Sequence, residues 1–248
     1  MSARSRFRPL VAIVCLGAAG GETAATVVPF TEDFVADSAN WRETTGTAGL
    51  DWVPAGGPDG SSYASATFNF LNSIPDDPAV LFRGHDAFDS SNDAFVGNWI
   101  ADGVSQFSFF IRHDASVPLG VFVRFASTGN FPAAAGVEFV PVPANAWTQI
   151  TIGIEPTNPQ FVTFEGSDFA TIFSSIENLQ IGVFVPAALA GVDQSFTFDV
   201  DQVTIVPNPP VAALLALSGL LLGKHRRRRW PEPSATGEQP TARPTSAR

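Results

Sequence analysis

The chain is poor in residues that cross-link or activate a small domain. It contains one Cys, one Met and one Tyr among 248 residues. The cysteine is Cys15, so residues 26–206 hold no disulfide, thiol nucleophile or thiolate metal site. A segment of about 180 residues buries enough apolar surface to fold without such links.

Positive charge is the second scarcity. Residues 26–206 contain no Lys and 21 acidic residues, for a net charge of −17, and their only cations are Arg42, Arg83, Arg112 and Arg124. Nucleic-acid binding needs a basic footprint, so the composition excludes that class of function. An acidic body of this kind repels anionic surfaces and attracts divalent cations.

Short runs in which apolar and polar residues alternate fill the same segment. The chain is rich in Phe (22), Gly (21) and Pro (20), which favours strands and turns. The alternating runs are 63–70, 104–112, 120–125, 147–154 and 196–205, with shorter candidates at 50–53, 79–83, 137–142 and 179–185 and one helical stretch at 168–176. This pattern predicts an all-β fold, an antiparallel β-sandwich of nine or ten strands.

The N-terminus has the layout of an export signal. Three arginines within the first eight residues precede an apolar stretch at 10–19 and then small residues. Ten apolar residues are too few to span a hydrocarbon core of about 30 Å. Residues 1–25 are therefore predicted to be a secretory signal peptide with a helical apolar region.

The C-terminus has three parts in a fixed order. A proline-rich hinge leads into an apolar run at 211–223, and a basic cluster follows at 224–229. This order predicts a short transmembrane helix with its arginines on the cytoplasmic side. The remaining residues, 230–248, are rich in Pro, Ser, Thr and Ala and are predicted to be disordered.

These three parts resemble the PEP-CTERM sorting signal of bacteria. The motif residues are Pro207, Asn208 and Pro209 with the arginines Arg226, Arg227, Arg228 and Arg229. Asn208 stands where the family usually has Glu, and 19 residues follow the arginines that usually end such chains. The resemblance implies an exosortase-type sorting enzyme as a partner. It also implies residence in the envelope, at the surface or in the extracellular matrix of a bacterium.

A second resemblance covers most of residues 26–206. The segments Phe30–Phe34, Trp147–Ile152 and Phe198–Ile205 are similar to strands of the jelly-roll modules of the carbohydrate-binding and galactose-binding-like group. In that group the first and last strands often share a structural calcium ion. The residues expected to bind Ca²⁺ by that resemblance are Glu32, Asp33, Asp199 and Asp201. The alternative is that these carboxylates are exposed charges that solubilise a strand.

Large aromatic residues suggest where a sugar ring would stack. Trp52 and Trp99 lie beside Gly- and Asp-rich loops and are the preferred ligand-binding candidates, whereas Trp147 opens an alternating strand and is expected in the core. The alternative for all of them is that they fill the sandwich.

Catalytic motifs are missing from the sequence. His85 and His113 are each followed by Asp, but no nucleophile elbow, zinc-protease motif or phosphate-binding loop accompanies them. We therefore expect an exported, non-enzymatic β-sandwich that binds extracellular polysaccharide. A structural or adhesive matrix protein without a small ligand is the alternative. A secreted glycan hydrolase ranks third, because 21 acidic residues offer many carboxylate pairs.

Overall fold

Alternating side chains build eleven strands in the part of the chain that the computed structural model describes, residues 26–208. The strands are β1 Phe30–Glu32, β2 Asp51–Val53, β3 Tyr63–Asn69, β4 Pro78–His85, β5 Val104–His113, β6 Val121–Ala126, β7 Ala133–Val137, β8 Thr148–Gly153, β9 Phe161–Thr163, β10 Asn178–Phe184 and β11 Ser195–Pro207. The helix α1 Phe169–Phe173 begins after Asp168, whose Oδ1 accepts a hydrogen bond from the Thr171 amide at 2.8 Å. The predicted signal peptide and C-terminal tail lie outside the described residues.

The strands form two sheets that pack face to face. Sheet A has the order β2-β3-β11-β5-β8, with β1 also paired to β11, and sheet B has the order β4-β10-β6-β7-β9. Every strand pairing is antiparallel. The predicted antiparallel β-sandwich of the jelly-roll type is confirmed.

Aromatic side chains fill the space between the sheets. The largest fully buried side chains include Trp41, Trp99, Phe34, Phe70, Phe82, Phe107, Phe109, Phe125, Phe173 and Phe198. Burying one such ring contributes on the order of 2–3 kcal/mol. This core explains how the domain is held together without any cysteine.

The long strand β11 organises sheet A. It pairs with β5 on one side, and on the other side it pairs first with β3, up to Val200, and then with β1, from Val203. The change of neighbour occurs at a bulge where Gln202 has a φ of 49°. Asp201 therefore lies between the start of β3, where Ala64 pairs with Val200, and the end of β1, where Glu32 pairs with Val203. Pro207, the first residue of the predicted sorting triplet, is the last residue of this strand.

One predicted strand is wrong. Residues 138–142 contribute only a single bridge, between Leu119 and Val142, and the strand lies earlier, at Ala133–Val137. The run of alanines gives no alternating signal, whereas Val137–Val142 alternates but is interrupted by Pro141, which has no N–H to donate to a ladder. The predicted helix at 168–176 is confirmed in a shorter form.

No helix in the range 26–208 has the length and apolar character that a bilayer span requires. The apolar run at 211–223 lies outside that range.

Candidate functional site

The four residues predicted to share a calcium ion lie in different environments. Glu32 and Asp33 line an open cleft of about 450 Å³. Asp199 is paired with Arg112, and Asp201 is covered by the loop at 54–62. Among residues 26–208, no three His, Cys, Asp or Glu side chains are grouped as metal ligands. Calcium binding by these four residues stays a prediction.

Both carboxylate oxygens of Asp199 accept hydrogen bonds from neighbouring strands. It lies opposite Arg112 of β5 and Ser65 of β3 in the sheet register. Its Oδ2 accepts from Arg112 Nε and Nη2, both at 2.8 Å, and its Oδ1 accepts from Ser65 Oγ at 2.7 Å. Asp199 is 5% exposed and Asp201 is 0% exposed, so the alternative of a solvated, charged strand face is wrong for these two residues.

Asp201 is a buried carboxyl group with two neutral donors. Its Oδ2 accepts from Ser61 Oγ at 2.9 Å, and its Oδ1 accepts from the Gln202 amide at 2.8 Å. Burial raises the pKa of Asp201 to about 6, the two hydrogen bonds oppose this rise, and the nearby charges of Asp33 and Asp59 add to it. The carboxyl group of Asp201 therefore holds its proton more tightly than an exposed aspartic acid does.

Arg112 lies against two aromatic rings on the outer face of sheet A. Its Cζ is 4.6 Å from the ring centroid of Trp147 and 5.1 Å from that of Tyr63. The two rings meet edge to face at 5.3 Å, and Trp147 Nε1 donates to the carbonyl of Gly56 at 2.9 Å. We call Tyr63, Arg112 and Trp147 the aromatic–arginine cluster. The expectation that Trp147 belongs to the core is wrong, because it is only half-buried on the outer face.

An open cleft lies beside this cluster. It has a volume of about 460 Å³, and its lining includes Tyr63, Ser65, Arg112, Asn145, Thr197 and Asp199. We call it the sheet A cleft. It presents a guanidinium, a carboxylate, an amide and hydroxyls beside an aromatic ring, and such convergent polar groups on an apolar surface are typical of small-ligand sites. Sequence reasoning missed this site, because alternation reveals which residues face outward but not which strands become neighbours.

His85 and His113 make local contacts. His113 is buried, and its Nε2 lies 3.1 Å from the carbonyl oxygen of Val142. Burial lowers the pKa of His113, and the Val142 contact and the charge of Asp114 only partly oppose this shift. His85 contacts Asp86, and its Nδ1 accepts from the amide of Ala87 at 2.9 Å.

The two tryptophans predicted to bind a ligand differ in their exposure to solvent. Trp99 is 0% exposed, packs on Phe107, Phe125 and Phe173, and donates to the Phe95 carbonyl at 2.7 Å. Its rings are covered by the core, so the prediction that Trp99 stacks on a sugar is corrected. Trp52 is 40% exposed. Its Nε1 donates to the carbonyl of Phe34 at 2.7 Å, away from the aromatic–arginine cluster.

Comparisons with known proteins gave matches of structure alone. No protein-family model and no curated protein matches the chain. Among solved structures, an exo-β-agarase matches with a TM-score of 0.48 at 12% identity over 74% of this chain and 26% of its own. A family 11 carbohydrate-binding module from Clostridium thermocellum, solved with a β-1,3-1,4-linked tetrasaccharide, matches with a TM-score of 0.40 at 13% identity over 74% of this chain and 98% of its own.

A xylan-binding domain of family 22 is a further structural neighbour. It matches with a TM-score of 0.40 at 13% identity over 72% of this chain and 93% of its own. The chain thus spans about a quarter of the agarase and nearly all of the two binding modules. At these scores the likeness does not identify a ligand, so any function has to be argued from the site itself.

Proposed function

We propose that this chain is an exported, non-enzymatic β-sandwich that binds extracellular polysaccharide in the sheet A cleft. The observation that supports this most directly is the position of Arg112, held between Asp199 and the rings of Tyr63 and Trp147 beside an open cleft. Fixed guanidinium and carboxylate groups bind adjacent sugar hydroxyls, and an aromatic ring matches the apolar face of a pyranose. Holding these groups in place before binding lowers the entropic cost of association.

The carboxylates of the cleft favour binding over hydrolysis. Glycoside hydrolysis needs one carboxylic acid and one free carboxylate on either side of the bond. Asp199 is bound by Arg112 and Ser65, and Oδ1 of Asp114, the other acidic residue of the cleft, accepts from the Thr197 amide at 2.7 Å. Both carboxylates are therefore already engaged by the protein.

The test is a binding assay with the purified full-length chain and a panel of insoluble and soluble polysaccharides. Xylan, mixed-linkage β-1,3-1,4-glucan and agarose belong in the panel, because the structural neighbours act on or bind such polymers. We expect binding to at least one polymer. We expect Trp147→Ala to weaken it about tenfold or more, because Arg112 then loses the ring that lies against it beside the cleft.

Trp52→Ala is the matched control for this experiment. Trp52 is an exposed tryptophan of the same sandwich, but its indole contacts Phe34 rather than the cleft. We expect Trp52→Ala to leave the affinity unchanged. Binding that is lost with Trp52→Ala and kept with Trp147→Ala would put the site elsewhere, and no binding to any polymer would refute the proposed function.

The sorting tag is proposed to hold the protein at the cell envelope. Its motif residues are Pro207–Pro209 and the arginines 226–229, and an exosortase-type enzyme would be the partner that processes them. We expect Asn208→Glu, which restores the usual triplet, to increase the processed fraction, and neutralisation of the four arginines to abolish retention. Mass measurement after cell fractionation checks both. A full-length, cytosolic protein would contradict export and sorting together.

An adhesive or structural matrix role is the second candidate. It is favoured by exposed apolar side chains that flank β7, the neighbour of the edge strand β9 in sheet B. These are Phe131, Phe139 and Val140, which are 67%, 61% and 71% exposed. Exposed apolar groups of this size are typical of contact surfaces between proteins. Self-association that is removed by Phe139→Ser would favour this role.

A further inference from the structure

Two arginines stand side by side at the edge of sheet B. Arg42 and Arg83 form an isolated antiparallel bridge in which each amide donates to the other's carbonyl, at 3.0 and 2.9 Å. Side chains of such a directly opposed pair leave the ladder on the same side, with Cβ atoms about 5 Å apart. We call Arg42 and Arg83 the arginine pair. Two like charges thus lie together in a domain that has only four cations.

The hydrogen-bond partners of the arginine pair within residues 26–208 are neutral. Arg83 Nε donates to the Thr44 carbonyl at 2.8 Å, and Arg42 Nη1 donates to the Thr47 carbonyl at 3.3 Å. Arg42 also lies over the ring of Phe88, 5.1 Å from its centroid. Its Nε is buried and has no hydrogen-bond partner among the residues that the structure describes. Within residues 26–208, neither guanidinium has a carboxylate oxygen within 4.0 Å.

The other two arginines of the domain behave differently. Arg112 is paired with Asp199, and Arg124 donates to both oxygens of Glu165 at 2.7 and 2.8 Å. Since 21 acidic residues surround four cations, pairing is easily achieved on this surface. Within the described residues, Arg42 and Arg83 are therefore the arginines that form no salt bridge.

Glu43, the acidic residue next to the pair, is hydrogen-bonded within its own loop. Its carboxylate accepts from the amides of Thr45, Thr47 and Ala48 at 2.9, 3.1 and 3.2 Å. Burial raises the pKa of Glu43, but these hydrogen bonds outweigh it and lower the pKa to about 2. Burial lowers the pKa of Arg83, the charge of Arg124 adds to this lowering, and the charge of Glu43 opposes it.

A cleft gives a ligand access to Arg83, one member of the arginine pair. Arg83 lines an open cleft of about 370 Å³ together with Thr44, Asn72 and Ser73, which add neutral hydrogen-bonding groups. The volume suits a group the size of a sugar unit. Asp77 lines the same cleft, and the whole domain is strongly acidic, so a polymer densely covered with negative charge would be repelled. A glycan that is neutral except for a single carboxylate would be attracted by the guanidinium without being repelled by the acidic surface.

We infer that Arg83, with Arg42 beside it, binds the carboxylate of a uronic acid unit within an extracellular polysaccharide. The inference rests on the proposed function, because it names an acidic sugar as part of the polymer that the sandwich binds. A guanidinium group presents two parallel N–H donors that match the two oxygens of a carboxylate, and a second guanidinium beside it strengthens the selection for an anion. The neutral sugars on either side would lie against Thr44, Asn72 and Ser73.

The test compares a glucuronoxylan with the same xylan after removal of its uronic acid groups. With the full-length chain, we expect the acidic polymer to bind about tenfold or more tightly than the stripped one. We expect Arg83→Gln to reduce this ratio to near one while affinity for the stripped polymer stays the same. Arg124→Gln is the matched control, because it removes the same charge from an arginine that is already paired with Glu165. Melting temperatures confirm that both variants fold.

Free sugars separate the sources of the anion. Glucuronate is expected to compete with the acidic polymer, whereas glucose is not, and inorganic sulfate at equal ionic strength is expected to compete weakly. Equal binding of both xylans, or a ratio that Arg83→Gln leaves intact, would overturn the inference while the proposed function stands. If neither these xylans nor any other polysaccharide binds, the proposed function itself fails.

Discussion

At the scale of single residues, Asp201 is a carboxyl group that folding makes harder to ionise. Its carboxyl is fully buried at the β11 bulge, where Ser61 and Gln202 donate to it. Within residues 26–208 no cation is hydrogen-bonded to it, in contrast to Asp199 two residues earlier. The two aspartates share a strand face, yet one stabilises the fold as an ion pair and the other favours its protonated form.

Asp201 makes stability depend on pH in a definite direction. Its pKa is raised from 3.8 to about 6, so the folded state binds this proton more tightly than the unfolded state. The contribution is favourable at low pH and is lost as the pH rises through that interval, by at most about 3 kcal/mol. We expect Asp201→Asn to remove this loss. Urea unfolding of both proteins at about pH 4 and about pH 7.5 measures it.

Comparing the variant with the parent cancels the other titrating groups. Asn keeps an acceptor for the Gln202 amide and can donate to Ser61 Oγ, so the site remains satisfied. The variant is expected to gain stability relative to the parent at the higher pH. If the difference in unfolding free energy between variant and parent is the same at both pH values, the pKa of Asp201 is not raised in the folded state.

At the scale of elements, the pairing of β4 with β10 depends on a missing side chain. The register shifts between Ile181 and Gly182. A Cβ built on Gly182 would lie 2.3 Å from the carbonyl oxygen of Ala79 and 2.6 Å from the ring of Phe122. The carbonyl belongs to the adjacent backbone, so it cannot yield as a flexible side chain would.

Gly182→Ala is therefore expected to destabilise the domain by about 2 kcal/mol or more, because β4 must move away from β10. Urea unfolding measures this loss directly. Gly49→Ala is the control, since its added Cβ would meet its nearest neighbours at ordinary distances of 3.8 and 3.9 Å. Equal, small effects of both substitutions would contradict the close approach at Gly182.

At the scale of the whole molecule, charge imbalance opposes folding. Residues 26–206 carry a net charge of −17, and compaction brings these charges together. Salt screens such repulsion over a Debye length of about 10 Å at 0.1 M. We expect the melting temperature to rise as sodium chloride is increased from about 0.01 M to about 0.5 M.

The same experiment tests the predicted calcium ion. At matched ionic strength, general screening by calcium and magnesium should be similar, because both are divalent. A melting temperature that rises further with calcium than with magnesium would support a specific calcium site. Equal effects of the two ions would leave screening alone as the explanation.

The order of the strands along the chain was largely predictable from local pattern. Runs such as 104–112 and 196–205 match β5 and β11 because a strand with one buried face alternates apolar and polar residues. The pattern failed at 133–137, where small residues carry no contrast between the faces. It also misplaced Trp99 and Trp147, because a tryptophan beside a loop and one at a strand start look equally ambiguous in sequence.

The sequence by itself determined the acidic surface, the lack of sulfur chemistry and the alternating strands, since these depend only on composition and neighbouring residues. Only the tertiary structure decided that Arg112 meets Asp199, 87 residues away, and that Arg42 stands beside Arg83. The reason is that strand order and register are set when two whole sheets close on a common core. Alternation assigns each residue to a face but does not choose its neighbours across the sheet.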